Sequence, residues 1–272
     1  MSETPAEQSS GDPEVIPDGF GDDYRRLIGY VGGHDDPADP ADVLAMQMVL
    51  RIEKANPPDR TELLIAAARA VALLCLDDRA GAAGPWDAAM TAWCDARIRK
   101  IARRARGAHW TAAQEVWGVS VTHGGASARA LVPGRIGDVD KRISRLQIGG
   151  TDVAGDLPDR PGEPAADVPG VCLWVNPDLP MTVGKLAAQV GHGSMLAVRL
   201  LEESAARRWR DAGCPLEVCE PTTGQWAELL AADAAGTAVA VRDAGFTEIA
   251  PGSVTVIAEL NGHVVTGADN HD

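Results

Sequence analysis

Residues 171–175 read Val-Cys-Leu-Trp-Val, an unbroken apolar run between Pro169-Gly170 and Asn176-Pro177. A strand with one wet face alternates apolar and polar residues, whereas a strand covered on both faces is apolar throughout. The run therefore calls for material on both sides of a sheet. The following residues can supply it. Val183 to about Ser204 carries a helical pattern, and Leu216–Cys219 is a strand candidate. Thr222 or Thr223 can cap a helix through Trp226, Leu229 and Leu230 that Gly236 stops, and Ala238–Val241 and Ser253–Leu260 complete the strands. Strand, helix, strand, helix, strand, strand predicts a three-layer α/β sandwich with a small mixed sheet over residues 169–262.

Upstream the pattern changes. Residues 1–41 are rich in Pro, Gly and Asp and short of branched apolar residues, the composition of a disordered acidic tail, with a short helix around Asp22–Tyr30. Residues 42–150 read as a mainly helical domain. One helical stretch runs from Asp42 to about Leu76, broken at Asn56-Pro57-Pro58, and another from Pro85 to near Gly107. Alternation about Gly124-Gly125 between Val119 and Val132 predicts a β-hairpin. Residues 151–168, with repeated Pro and Gly among acids, read as a linker, and 263–272 as a second tail. No internal repeat is evident, and 42–150 carries no motif recognisable as that of a known module.

Composition narrows the classes. The 272 residues are 45% hydrophobic, enough for a sizeable core, yet no apolar run approaches the ~18 residues of a membrane span. The start, MSETPAEQSSGDPE, is polar and acidic rather than basic then apolar. The expectation is a soluble cytoplasmic protein with no membrane partner. Five irregularly spaced cysteines form no CxxC pair, so buried reduced thiols are expected rather than a zinc site or disulfide framework. The net charge of -14 argues against a nucleic-acid partner when taken alone. However, eleven acids lie in the first 42 residues against two arginines, so most of the negative charge belongs to the tail.

Two short stretches carry chemistry. In VGKLAAQVGHGS, residues 183–194, Lys185, Gln189 and His192 stand at i, i+4 and i+7 and share one helix face. Lys185 lies near the helix start, beside the strand edge where ligands of α/β sheets bind, and adds its charge to the positive helix end. A solvated face is the commoner fate of a lone lysine. The P-loop pattern fails, because Leu179 stands at its first glycine and Leu186 follows the lysine. Ser194 lacks the glycine two places earlier that a nucleophile elbow needs, which leaves His123-Gly124-Gly125 as a hairpin turn. In RDAGFTEIAPGSVTVIAEL, Asp243 ends a strand, Thr247 follows four residues on, and Thr255 lies in the next strand. Such a carboxylate can orient or deprotonate a water that a threonine hydroxyl positions, or it can merely shape the loop as an Asx-turn.

Together, D-L-x-M-x-x-G-K-x-A-A-Q-x-x-H followed by R-D-A-G-x-T-E-I-x-P-G-x-x-T resembles the type II peptidyl-tRNA hydrolase family, the archaeal and eukaryotic type, over about residues 170–260. The resemblance implies a mixed sheet flanked by helices, a homodimer through this domain, and hydrolysis of the ester joining a peptide to tRNA. It implies catalytic roles for Lys185, Asp243, Thr247 and Thr255, with Gln189 and His192 in support, and neither cofactor nor metal. Asn176-Pro177, Phe246 and Gly193 depart from the family's usual residues. The rival class is a hydrolase-like RNA-binding or scaffold protein without turnover.

A third stretch, RIRKIARRAR at 97–106, holds Arg97, Arg99, Lys100, Arg103, Arg104 and Arg106 with no acid to pair them along a helix. It is expected to be a phosphate-binding helix that holds the tRNA partner, with Trp110 near for stacking. Docking onto the protein's own acidic tail or linker is the bland alternative.

Overall fold

The computed structural model describes residues 18–243 and 252–261. In chain order the N-terminal part contains α1 (Phe20–Ile28), β1 (Leu44–Arg51), α2 (Arg60–Cys75), α3 (Asp87–Asp95), β2 (Arg99–Ala105), α4 (Gly107–Ala113), β3 (Gly118–His123), β4 (Ala126–Leu131), β5 (Gly134–Arg135) and α5 (Lys141–Ser144). The C-terminal part contains β6 (Gly170–Val175), α6 (Val183–Leu196), α7 (Glu203–Asp211), β7 (Leu216–Cys219), α8 (Thr223–Ala235), β8 (Ala238–Arg242) and β9 (Val254–Asn261).

The C-terminal half is the α/β sandwich expected. Its sheet runs β7-β6-β9-β8, with β6 parallel to β7 and antiparallel to β9, and β8 antiparallel to β9. Val171 to Val175 are buried, as a strand covered on both faces must be. Thr222 and Gln225 form a reciprocal capping box on α8, and Gly236 ends it at φ 78°, a left-handed geometry that favours glycine.

The N-terminal half departs from expectation in two strands. Residues 44–51 are β1 and not part of a helix, and 99–105 are β2 and not a basic helix. Both have a physical cause. Ala45 to Leu50 are all buried, and Met, Leu and Ala favour helices only until burial within a sheet overrides propensity. In β2, alternation sends the basic side chains to opposite faces, and parallel pairing with β1 fixes the backbone. The hairpin at Gly124-Gly125 is present, with Gly124 at φ 54°. Within the described part of the acidic segment, residues 20–28 form α1, which buries Phe20 and Leu27. Residues 1–17 and 262–272 lie outside the described residues.

The two halves share one topology that the sequence did not disclose. Each runs strand, helix, helix, strand, helix, strand, strand: β1-α2-α3-β2-α4-β3-β4, then β6-α6-α7-β7-α8-β8-β9. The first sheet has the order β2-β1-β4-β3 with β5 appended to β1, and strand directions match those of the second. The halves meet through α2 and α6, with β2 beside α6 and β7 beside α2. One buried cluster includes Met48, Leu64 and Val71 from the first half and Leu173, Val190 and Val256 from the second.

Residues 151–168 therefore do not separate two independent cores. Thr151 and Val153 are buried, Arg60 donates to the Gly155 carbonyl at 2.9 Å, and the Glu220 N–H donates to the Pro158 carbonyl at 2.9 Å. The face of α6 that meets α2 is buried between the two halves, within the cluster they share. All five cysteines are free and buried, and among the described residues no helix is long and apolar enough to cross a membrane.

Candidate active site

The site forms at one edge of the second sheet, where β6 and β8 end and β9 begins. Helix α6 starts there because Thr182 adopts extended backbone and its hydroxyl accepts the Lys185 N–H at 3.3 Å. A second hydroxyl comes from the coil before β6. Thr151 Oγ1 accepts the Gly184 N–H at 3.0 Å, and a side chain at position 184 would stand 2.7 Å from that oxygen. Two of the helix's otherwise unpaired N–H groups are thus filled by protein. Lys185, rather than a bare helix end, carries the positive charge of the site.

Four of the expected residues come together. Lys185 Nζ makes an ion pair with Asp243 Oδ2, and Gln189 Nε2 donates to the same oxygen at 3.1 Å. Thr255 Oγ1 donates to Gln189 Oε1 at 2.6 Å, with the Val241 carbonyl 3.3 Å away. The amide therefore has one orientation: its oxygen toward Thr255 and its nitrogen toward the carboxylate. Asp243 is 6% exposed and Thr255 0%. The Asp243 backbone is pinned on both sides, its N–H to the Ser253 carbonyl at 2.9 Å and its carbonyl to the Gly252 N–H at 2.8 Å. Such a carboxylate is held in place before any substrate arrives.

Thr247 lies outside the described residues. His192 is one helical turn beyond Gln189 and meets Lys100 of β2, whose Nζ is 3.0 Å from His192 Nδ1. Burial, then Lys100 and Lys185, hold the imidazole well below its ordinary pKa, so it is neutral.

A cleft of about 1500 Å³ opens over these groups, lined by Lys185, Gln189, His192 and Asp243 from one half and by Arg97, Arg99 and Lys100 from the other. The six basic residues of the 97–106 stretch do not act as one patch. Arg97 pairs with Asp35 at 2.5 Å and Arg99 with Asp36, so both guanidiniums meet the protein's own acidic segment. Arg103 is buried, donating to Gln47 Oε1 at 2.8 Å and to the Leu146 carbonyl at 2.9 Å, and is not available to phosphate. Lys100 is turned to His192. Arg104 bonds Gln147 at 3.0 Å, and Arg106 is exposed.

Three residues hold places in the site region that sequence reasoning did not assign to them. Asn176 was noted only as a departure, yet its Nδ2 donates to the Val254 carbonyl at 2.8 Å and its N–H to that of Thr255 at 3.0 Å, fixing the start of β9. Thr151 sits in a stretch with no periodic signal. Lys100 was hidden in a charge run.

Fold and site together define a class: a three-layer α/β sandwich with a lysine–carboxylate pair and a supporting amide at the sheet edge. Residues 170–260 match the family model described as peptidyl-tRNA hydrolase PTH2. A protein named peptidyl-tRNA hydrolase from Haloquadratum walsbyi is 38% identical over 84 residues, covering 30% of this chain and 75% of that protein. One of the same name from Halobacterium salinarum is 38% identical over 86 residues, with the same coverage. A probable peptidyl-tRNA hydrolase 2 from Schizosaccharomyces pombe is 36% identical over 91 residues, 31% of this chain, which spans only 44% of that protein. The chain belongs to the PTH2 family of peptidyl-tRNA hydrolases.

Proposed function

We propose that this chain hydrolyses the ester joining a peptide, or an N-blocked amino acid, to tRNA, releasing peptide and free tRNA in the cytoplasm. The observation that carries this reading is the Lys185–Asp243–Gln189–Thr255 network at the mouth of a cleft large enough for a nucleotide-linked ester.

Ester hydrolysis needs a water aimed at the carbonyl carbon and a positive partner for the charge that grows on oxygen. Asp243 is the base or water-orienting group, with Thr247 assisting. Gln189, itself oriented by Thr255, holds the carboxylate. Lys185 neutralises Asp243 in the resting site and stabilises the developing oxyanion, or a terminal tRNA phosphate, when substrate enters. The tRNA partner is held by Arg97 and Arg99 on the opposite cleft wall, aided by Arg104 and Arg106. Phosphate would displace Asp35 and Asp36 from the first two. A homodimer would have to form without the face of α6 that α2 already covers.

The test is release of peptide from N-blocked aminoacyl-tRNA by the purified full chain. Asp243→Ala and Lys185→Ala should each lower kcat/KM by about 10²-fold or more, the scale for losing a positioned acid–base or oxyanion group. A wild-type chain that binds tRNA tightly but releases no peptide would transfer the reading to an RNA-binding module without turnover.

A further inference from the structure

The N-terminal half repeats the topology of the active half without its chemistry. Counting from the helix caps, Asp59 on α2 and Thr182 on α6, the places of Lys185, Gln189 and His192 are taken by Glu62, Ala66 and Arg69. Between β3 and β4 stands only the turn Gly124-Gly125, where β8 and β9 are joined by the long connection carrying Asp243 and Thr247. Glu62 does reach the equivalent edge, but there it accepts the Gly125 N–H at 2.7 Å and closes the turn. This half has no carboxylate–lysine pair in that position.

What it does supply is a side chain that crosses to the other half. Strand β2 lies against α6, and Lys100 Nζ sits 3.0 Å from His192 Nδ1, 3.1 Å from Met195 Sδ and 4.7 Å from the centre of the Trp93 ring. Gly191, beside His192, lies against the first half: a side chain there would stand 3.0 Å from Val71 Cγ2 of α2, with the Lys100 stem next at 3.4 Å. Of the three groups around the amine, only the imidazole is a strong acceptor.

We propose that the N-terminal half is a chemically emptied copy of the active fold, and that its Lys100 is a positioning residue which fixes the tautomer of His192 in the active half. An N–H of Lys100 directed at Nδ1 requires a lone pair there and so places the ring proton on Nε2. His192 then offers the cleft an uncharged donor on the same helix face as Lys185. That donor matches an ester or ribose oxygen, which a second full charge beside Lys185 would serve less selectively. Burial keeps His192 neutral beside Lys100 and Lys185, and it brings Lys100 down to about 7, so the assignment holds for the ammonium, which donates and cannot accept, below that pH. The proposal rests on the hydrolase reading for its catalytic consequence but not for its geometry.

The experiment is 15N NMR of the histidine rings in the full-length protein near pH 6, with His192 assigned through His192→Gln, run beside steady-state hydrolysis. Wild type should show an unprotonated Nδ1 and a protonated Nε2. Lys100→Met, matched in length and apolar, should give a mixture of tautomers and lower kcat about 10-fold with KM little changed, the lower end of what loss of an outer-shell partner costs. Lys100→Arg should restore the wild-type tautomer and part of kcat. A wild-type His192 protonated on Nδ1, or an unchanged tautomer in Lys100→Met, overturns the proposal, and the first readout needs no variant to fold. Glu62→Gln should leave hydrolysis at the wild-type rate, and a loss like that of Lys185→Ala would refute the emptied half. A wild type with the stated tautomer but no hydrolysis would count against the hydrolase reading alone.

Discussion

Removing the hydroxyl of Thr255 tests whether the buried network is a single unit. Thr255 is fully buried and donates to Gln189 Oε1 at 2.6 Å, while Gln189 Nε2 donates to Asp243 at 3.1 Å. In Thr255→Val the shape is kept and the amide oxygen loses this donor. An unsatisfied buried acceptor costs roughly 1–3 kcal/mol. Gln189→Met differs, because the Thr255 hydroxyl can fall back on the Val241 carbonyl at 3.3 Å and Asp243 keeps its ion pair with Lys185. That change should cost about 1–2 kcal/mol. The double variant removes donor and acceptor together and leaves no orphan. Its cost should lie near that of Gln189→Met alone, a coupling equal to the Thr255→Val cost of about 1–3 kcal/mol. Urea unfolding at 25 °C measures it, read where fluorescence and circular dichroism transitions coincide and m is unchanged. If the two costs add to within ~0.5 kcal/mol, the residues act independently and the network account is wrong.

Three further outcomes are expected. Asp23 is fully buried, its Oδ2 has no hydrogen-bond partner, and burial outweighs its ion pair with Arg26 to raise its pKa from 3.8 to about 7. The folded state thus holds this proton more tightly than the unfolded chain, so Asp23 makes stability fall as pH rises between about 4 and about 7. Asp23→Asn, which can still accept from Arg26, should flatten that part of a Tm-against-pH curve, and an unchanged slope would refute the assignment. Replacing Arg97, Arg99, Arg104 and Arg106 with Gln should flatten the log–log salt dependence of tRNA binding by up to about 4, at about 0.9 per phosphate contact, with kcat near wild type. Asp36→Asn should tighten binding instead, and a loss of affinity there would mean that Asp36 orders the wall rather than competing for it.

Legibility in the sequence followed the kind of constraint each residue obeys. The sheet of the second half was readable because Val171–Val175 is apolar on both faces and bounded by Pro, Gly and Asn. The Lys185, Gln189 and His192 face was readable because helical spacing is rigid, and Asp243 and Thr255 because they lie at the ends of recognisable strands. The stretch at 97–106 misled because charge runs are read as solvated helix, whereas β2 distributes its charges over both faces and buries Arg103 against Gln47 and the Leu146 carbonyl. Strand β1 misled for the opposite reason. Its Met, Leu and Ala residues are good helix formers, and only the partners on either side make it a strand.

The hidden repeat follows from the same physics. A fold is kept by where apolar side chains are buried, and that requirement accepts many residues of suitable size at each position. Chemistry is kept by single groups at single places. In the first half the burial survived, from Met48 and Leu50 in β1 to Leu63 and Val71 in α2, while the groups at 62, 66 and 69 became Glu, Ala and Arg. A motif search reads only the second kind of constraint and passes over this half. The contact surface obeys both kinds at once. The Ser194 hydroxyl on α6 donates to the Ala68 carbonyl of α2 at 2.7 Å, and small residues such as Gly191 let the halves approach closely enough for Lys100 to reach His192. A half freed from catalysis drifts least along that seam, which is where Lys100 reaches the imidazole of the active half.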